Sequence, residues 1–360
     1  MPDRIYNFSP GPATLPQEVL AQAAKDIVNF HDKGIGLIEM SHRSKEFMAV
    51  VDETEALLRR LMDIPDNYKV LFLQGGASTQ FAMIPMNLLG PGRKASYLNT
   101  GTWAKKAIKE ANIVAEAHVA YSSEESTFDH VPKTDDFTVD PDSEYLYLVS
   151  NNTIYGTQFA DFPQSDKMLV CDMSSDILSR RFDIRPFGLV FAGAQKNMGP
   201  AGVTVVIIRD DLLDRAPDNL PTMLRYKTHA DKGSMFNTPP CFAIYVVGQV
   251  CKWLEKIGGV AAMEEKNREK AAILYDMIDA TDFYKGHARP DSRSLMNVTF
   301  NLPSPELEAE FISQATKEGL DGLKGHRSIG GCRASIYNAF PRQGVLDLVA
   351  FMKKFEQAHR

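Results

Sequence analysis

The stretch Phe191-Ala192-Gly193-Ala194-Gln195-Lys196-Asn197-Met198-Gly199-Pro200-Ala201-Gly202 places a single lysine among small residues and glycines. An apolar, strand-like run at residues 189–191 leads into it, and a second at 203–208 leads out. A long cationic side chain fills a core poorly, so packing alone does not explain Lys196. Chemistry does: an ammonium in a tight, partly desolvated place gives up its proton readily and can condense with an aldehyde. Taken alone, the same residue reads better as a surface lysine in a hairpin turn. A second group decides between these readings. Residues 168–171 read as a short buried strand ending in Asp172, followed by Met173-Ser174-Ser175.

A carboxylate and a lysine, each at the end of its own apolar strand, are what pyridoxal phosphate needs. The acid pairs with the protonated pyridine nitrogen and keeps the ring an electron sink, while the lysine holds the aldehyde carbon. The competing reading of Asp172 is a helix N-cap on the segment that follows.

The elements around these residues follow a repeated grammar. Residues 68–73 read as a strand, broken by Gln74-Gly75-Gly76-Ala77-Ser78-Thr79 and followed by a helix through Ala82, Met83 and Ile84. A strand, a Gly-Gly turn with hydroxyls and a helix N-terminus make a phosphate cradle. Residues 97–103 repeat the pattern and put Trp103, one of two tryptophans, at a helix start, where an indole can stack on a planar ring. Residues 144–149 form another buried strand, ending at Ser150-Asn151-Asn152-Thr153. Alternating strands and helices predict an α/β fold with a doubly wound, mainly parallel sheet. Ligands of such sheets bind at the carboxyl ends of the strands, where Thr153, Asp172 and Lys196 fall; Ser78 and Trp103 fall just past them.

Length and composition frame this. A chain of 360 residues predicts two domains. At 44% hydrophobic and 24% charged it has the make-up of a soluble globular protein. A net charge of −6 offers no general attraction to nucleic acid or anionic membrane. Cys171, Cys241, Cys251 and Cys332 show neither metal nor disulfide spacing, and no metal is expected. With no signal-like N-terminus and no run of membrane-spanning length, the expected location is cytoplasmic.

Near the N-terminus, residues 1–15 read as an arm. Thr14 and Gln17 match a capping box ahead of a helix whose apolar face is Leu20, Ala23, Ile27 and Phe30. Gly34-Ile35-Gly36 reads as a joint, and a second amphipathic helix carries Phe47, Val50, Leu57 and Leu61. His42-Arg43 precedes that helix, poorly placed for its macrodipole, which suggests an anion nearby. After the lysine, residues 233–240 form a polar loop closed by two prolines, and Gly258-Gly259 marks a boundary. The expected division is an arm at 1–15 packed with the small domain, a large cofactor-binding domain at 16–258, and a small α+β domain at 259–360. The small domain holds a strand at 294–300, the segment 325–333 and a terminal helix. In an acidic protein, His42, Arg43, His326, Arg327 and Arg333 gather in glycine- or hydroxyl-rich motifs, as a site for small polyanions would require.

The lysine motif, together with Asn7-Phe8-Ser9-Pro10-Gly11-Pro12, Ser41-His42-Arg43 and the segments 233–240 and 325–333, resembles the phosphoserine aminotransferase family. These are class V aminotransferases among the fold-type I pyridoxal phosphate enzymes, and the resemblance runs from about residue 5 to the C-terminus. It implies transfer of an amino group from L-glutamate to 3-phosphohydroxypyruvate, giving 2-oxoglutarate and O-phospho-L-serine for serine biosynthesis. It also implies a further use in pyridoxine biosynthesis through a 4-phosphohydroxy-threonine intermediate. By resemblance Lys196 is the covalent anchor, Asp172 the pyridinium partner, Trp103 the stacking aromatic, and Thr153 the neighbour of the ring hydroxyl. Ala77, Ser78 and Gln195 would hold the cofactor phosphate, with Asn237 and Thr238 supplied by the second subunit of a homodimer. His42, Arg43, His326, Arg327 and Arg333 would bind substrate, Arg333 at the α-carboxylate and the others at the distal anion. Some members carry an arginine in the Gly-Gly turn, where this chain has Ala77-Ser78-Thr79.

Two other classes fit these residues less well. A cysteine desulfurase-like lyase needs a nucleophilic cysteine on a mobile loop and usually a histidine just before the lysine. Here Gln195 takes that place, and Cys332 reads as a small buried thiol. A non-catalytic pyridoxal-binding protein would have no use for five substrate cations.

Overall fold

The computed structural model describes residues 4–90 and 92–360. Its centre is a seven-stranded sheet of β1 (Tyr68–Leu73), β2 (Lys94–Asn99), β3 (Glu116–Ser122), β4 (Ser143–Val149), β5 (Met168–Asp172), β6 (Phe187–Gly193) and β7 (Thr204–Arg209). The strand order is β1-β7-β6-β5-β4-β2-β3. β2–β3, β2–β4, β4–β5 and β5–β6 pair parallel, and β7 alone runs against its neighbours β6 and β1.

Central strands are continuous apolar runs because both faces are covered. Alternate side chains go to opposite layers. Leu169, Cys171, Val190 and Ala192 face one apolar cluster, which includes α2 (Lys45–Met62) and α5 (Cys241–Lys256). Val170, Leu189 and Phe191 face another, with α3 (Gly76–Leu88) and α4 (Thr102–Val114). The chain reverses between β6 and β7, and Lys196 sits in that reversal.

The C-terminal part has a cluster of its own, built on Leu274, Phe300, Phe311, Leu348 and Phe355. It comprises α6 (Gly259–Asp279), a three-stranded antiparallel sheet of β8 (Lys285–Gly286), β9 (Asn297–Asn301) and β10 (Cys332–Ser335), then α7 (Pro305–Lys317) and α8 (Arg342–His359). The N-terminal arm joins this part: Tyr6–Asn7 pair parallel with Leu320–Asp321, and Phe8 is buried in the same cluster.

Two local expectations fail. The first helix, α1 (Gln17–Val28), starts after Pro16 with no side-chain cap, and Thr14 Oγ1 instead donates to the Asn7 carbonyl at 3.0 Å. The first helix also turns Leu20 outward and buries Val19, Ala23 and Asp26, because Asp26 accepts from the Tyr245 hydroxyl on α5. One polar feature went unforeseen: Lys270 on α6 is buried and donates to the carbonyls of Ile336, Tyr337, Asn338 and Phe340. Burial pulls that amine down to about 7, and the four carbonyl dipoles replace an acid partner.

Candidate active site

β4, β5 and β6 are parallel neighbours, so the residues just past their ends share one edge of the sheet. Thr153, Asp172 and Lys196 lie there. Lys196 Nζ donates to Thr153 Oγ1 at 2.6 Å and stands 5.3 Å from the centroid of the Trp103 ring. Burial pulls the Lys196 amine down to about 8; the charge of Asp172 opposes this and that of Arg333 adds to it. A lysine in that condition is a usable base near neutrality.

Asp172 is held from behind. Its Oδ1 accepts from the Ser174 N–H at 2.9 Å and the Ser174 hydroxyl at 2.6 Å, and Oδ2 has no partner among the described residues. Ser174 Oγ in turn accepts from the Gly193 N–H at 3.0 Å, tying Asp172 to the end of β6. Burial raises the Asp172 carboxyl above the usual range, while Ser174 and Lys196 pull it down. The segment after Asp172 thus turns back to grip the carboxylate it follows.

The small part delivers Arg333 to the same place. Its Nη1 donates to the Thr153 carbonyl at 3.3 Å, and its Nε is buried without a partner among the described residues. Asn338 N–H donates to Asn197 Oδ1 at 3.0 Å, so the residue after Lys196 is bonded to the segment after β10. The arm closes the lysine loop from the other side: Ala13 N–H donates to the Gln195 carbonyl at 3.0 Å, and Tyr337 donates its hydroxyl to the Pro10 carbonyl at 2.7 Å. Gly11 has a φ of 149°, which L side chains rarely adopt, and a Cβ there would stand 3.3 Å from Lys196 Cγ, so glycine suits the arm's passage beside the lysine.

His326 lies nearby. Burial depresses its imidazole, and the positive charges of Arg333, Arg327 and Lys106 depress it further. Lys106 was missed in the sequence; one helical turn past Trp103, it holds its ammonium 4.6 Å from the indole centroid. A lysine at i+3 from an aromatic on a helix is the signal that could have found it.

Other expected residues lie apart from this cluster. His42 and Arg43 sit on an exposed loop, Arg43 Nε donating to His42 Nε2 at 3.3 Å, with no contact to Lys196, Arg333 or His326 among the described residues. Asn237 donates to Gln74 Oε1 at 3.0 Å, and the Thr238 carbonyl accepts from Gln74 Nε2 at 3.2 Å; both lie beside the residue that opens the Gly-Gly turn.

The residues fit pyridoxal phosphate on three counts. α3 begins at Gly76 with no side-chain cap, so the first-turn N–H groups at Ala77 and Ser78 are open to an anion. The turn needs left-handed glycine, with φ of 91° at Gly75 and 64° at Gly76. Finally, among the described residues the buried Trp103 Nε1 has no partner, and Asp172 offers an oxygen with none. An acidic ring with a phosphate and a polar edge supplies what these atoms lack.

The model for aminotransferase class-V matches residues 5–348. A phosphoserine aminotransferase of Desulfotalea psychrophila is 70% identical over 355 residues, covering 99% of this chain and 98% of that protein. One from Lysinibacillus sphaericus is 53% identical, with all of both chains covered. Among solved structures, the phosphoserine aminotransferase from Bacillus circulans subsp. alkalophilus superposes with a TM-score of 0.97 at 52% identity, covering 99% of each chain. The pyridoxal phosphate-bound enzyme from Trichomonas vaginalis gives 0.93 at 40%, over 97% of this chain and 100% of that one. This chain belongs to the class-V aminotransferases and, within them, to the phosphoserine aminotransferase family.

Proposed function

We propose that this protein transfers the amino group of L-glutamate to 3-phosphohydroxypyruvate, with pyridoxal 5'-phosphate as its cofactor, giving 2-oxoglutarate and O-phospho-L-serine. The observation that carries the reading is a lysine drawn down to about 8 between a buried carboxylate and a cluster of cations. Bound, the cofactor supplies the aldehyde that carries the amino group and the ring that takes up electrons.

The chain's own residues do the rest. Asp172, through the oxygen that Ser174 leaves free, keeps a proton on the ring nitrogen. Lys196 Nζ, half unprotonated near pH 8, would take the proton from the substrate α-carbon and return it to the carbon on the far side of the transferred nitrogen, the one the cofactor's aldehyde contributes. Trp103 orients the ring by stacking, and the uncapped start of α3 with Ala77 and Ser78 holds the phosphate, helped by Gln195. Arg333 binds the α-carboxylate; its place on a strand and its grip on the Thr153 carbonyl make it the rigid contact. His326 and Arg327 receive the distal anion, carboxylate in one substrate and phosphate in the other, and Lys106 adds charge beside them. Cys332 is no rival nucleophile: it is 1% exposed on β10, and burial pushes its thiol well up.

His42 and Arg43 make no contact with Lys196 among the described residues, which supports their acting across a two-fold. We read the working form as a homodimer in which they, with Asn237 and Thr238, complete the partner's site. Residues 259–360 with the arm 1–15 form the small domain against a large domain at 16–258. Use in pyridoxine synthesis and a cytoplasmic location belong to the same reading; among the described residues no helix is long and apolar enough to cross a membrane.

The test is a coupled assay with glutamate and 3-phosphohydroxypyruvate, set against other 2-oxo acids. Preference for the phosphorylated acid supports the reading. Equal rates with pyruvate would reject the distal-anion site, and failure of glutamate alone to convert the bound cofactor to its amine form would reject transamination.

A further inference from the structure

A second carboxyl, Asp176, is buried one turn beyond Asp172, with 5% of its surface exposed. Its Oδ1 contacts Ser150 Oγ, and its Oδ2 accepts from Gln158 Nε2 at 3.0 Å. Ser150 Oγ also lies 3.1 Å from the main-chain carbonyl oxygen of Asp172, to which the Ser150 N–H donates at 3.0 Å. Ser150 has one hydroxyl hydrogen for these two oxygens. Were Asp176 a carboxylate, that hydrogen would go to it, and two oxygens would face each other at 3.1 Å with nothing between them. A proton on Asp176 Oδ1 resolves the conflict: the acid donates to Ser150, Ser150 donates to the Asp172 carbonyl, and Oδ2 remains the acceptor for Gln158.

The nearest cation stands off, although its charge alone favours the carboxylate. Arg180 holds Nη2 3.9 Å from Asp176 Oδ2, beyond hydrogen-bond distance. Its Nη1 donates to the Ala160 carbonyl, its Cζ lies 4.9 Å from the Phe162 centroid, and its Nε and Nη2 have no hydrogen-bond partners among the described residues. A buried carboxylate would draw that fork into a paired contact. The other titratable groups that bear on the acid are Asp172 and Cys171 on β5 and Lys196 after β6. Burial raises the Asp176 carboxyl against the pull of Arg180, Ser150 and Gln158.

We propose that Asp176 is a neutral carboxylic acid in the working enzyme, a positioning residue whose proton locks Ser150 onto the carbonyl of Asp172. The strand end that aims Asp172 is thereby held without a second anion beside Lys196. A charged Asp176 would make the lysine keep its proton more tightly and leave less of it free as a base. The inference rests on the proposed roles of Asp172 and Lys196, but its first two tests do not depend on them.

The variant is Asp176→Asn, whose amide nitrogen can donate to Ser150 while its oxygen accepts from Gln158, as the neutral acid does. Infrared difference spectra between wild-type and variant holoenzyme should show the loss of a carboxylic-acid carbonyl band; loss of a carboxylate band would overturn the proposal. Thermal stability against pH gives the second test. An acid that keeps its proton in the fold but loses it when unfolded, near pH 3.9, makes wild-type stability fall as pH rises above that value. The variant has no such slope, so its advantage should open upward from about zero near pH 4; a gap opening the other way means an anion paired with Arg180. In the third test, the pH midpoint of the bound cofactor's absorbance should match in the two proteins. A lower midpoint in the variant means that a negative charge was removed from beside Lys196, and the proposal fails. Failure of the variant to fold would also overturn it, because the amide reproduces the acid's donor and acceptor.

Discussion

Ser174→Ala tests how the site holds its anion. The hydroxyl makes two bonds, donating to Asp172 Oδ1 at 2.6 Å and accepting from the Gly193 N–H at 3.0 Å. The first is a bond to a charged acceptor, worth about 1.5–3 kcal/mol, and the second leaves a buried N–H unpaired at about 1–3 kcal/mol. The first loss falls on the ionised form of Asp172, and so on its ability to keep the ring nitrogen protonated. If it is expressed fully in the step that removes the α-proton, the rate drops about ten- to hundredfold, since each 1.36 kcal/mol is a factor of ten. The second loss falls on the fold and should lower the melting temperature of cofactor-free protein as well. Single-turnover mixing with glutamate, followed by cofactor absorbance, reads the first, and a thermal melt of the apo form reads the second. Ser174→Thr keeps the hydroxyl and should recover most of both. If Ser174→Ala reacts at the wild-type rate while the melt falls as expected, Ser174 braces β6 only and Asp172 does not depend on it.

Further outcomes follow from the same geometry. Lys196→Ala should bind cofactor in a folded protein yet fail to turn over, and multiple turnovers would remove Lys196 as the proton carrier. The pH dependence of apo stability has a definite sign: Lys196 titrates near 8 when folded and near 10.5 when unfolded, so the unfolded chain binds more protons between those values. Stability from this residue is therefore least below about pH 8 and rises toward 10.5, a slope that Lys196→Met should lack in denaturant titrations. Arg333→Ala should impair both half-reactions by about 2–4 kcal/mol, as loss of a buried charged contact would. Arg327→Ala or Arg43→Ala should harm the phosphate-bearing substrate more, and separate single turnovers with each substrate show whether the two assignments are reversed. Mixing Lys196→Ala with the double variant Asn237→Ala, Thr238→Ala should recover activity through hybrid dimers; a fully active monomer in sedimentation would contradict the shared site.

What was legible in the sequence was whatever periodicity and strand ends encode. Strand ends put Thr153, Asp172 and Lys196 on one edge because parallel neighbours must share one, and Trp103 followed as a helix start past another strand. Arg333 at the head of a strand was visible in the same way. The hidden part is held by contacts distant in sequence. Nothing near Lys270 announces four carbonyls from residues 336–340, and nothing near Asp26 announces the Tyr245 hydroxyl that turns α1 so that Leu20 faces water. Thr14 misled because its capping spacing is real, while Asn7, brought close by the arm, takes the hydroxyl first. Asp176 has the same character: nothing near it in sequence announces Ser150 and Gln158, which reach it from the preceding strand end and turn.

The contacts of the N-terminal arm have a consequence for the order in which the molecule can be finished. Pro10 and Ala13 from the start of the chain, and Arg333, Tyr337 and Asn338 from near its end, meet around the loop that carries Lys196. A ribosome delivers the first of these long before the last. The seven-stranded sheet, complete by Arg209, can pair while the chain is still being made. The lysine loop cannot close until residues 333–338 are free of the tunnel. Birth order thus keeps a reactive amine from being framed as an active site on an unfinished chain, and a nascent protein arrested before Arg333 should hold a sheet but no competent pocket.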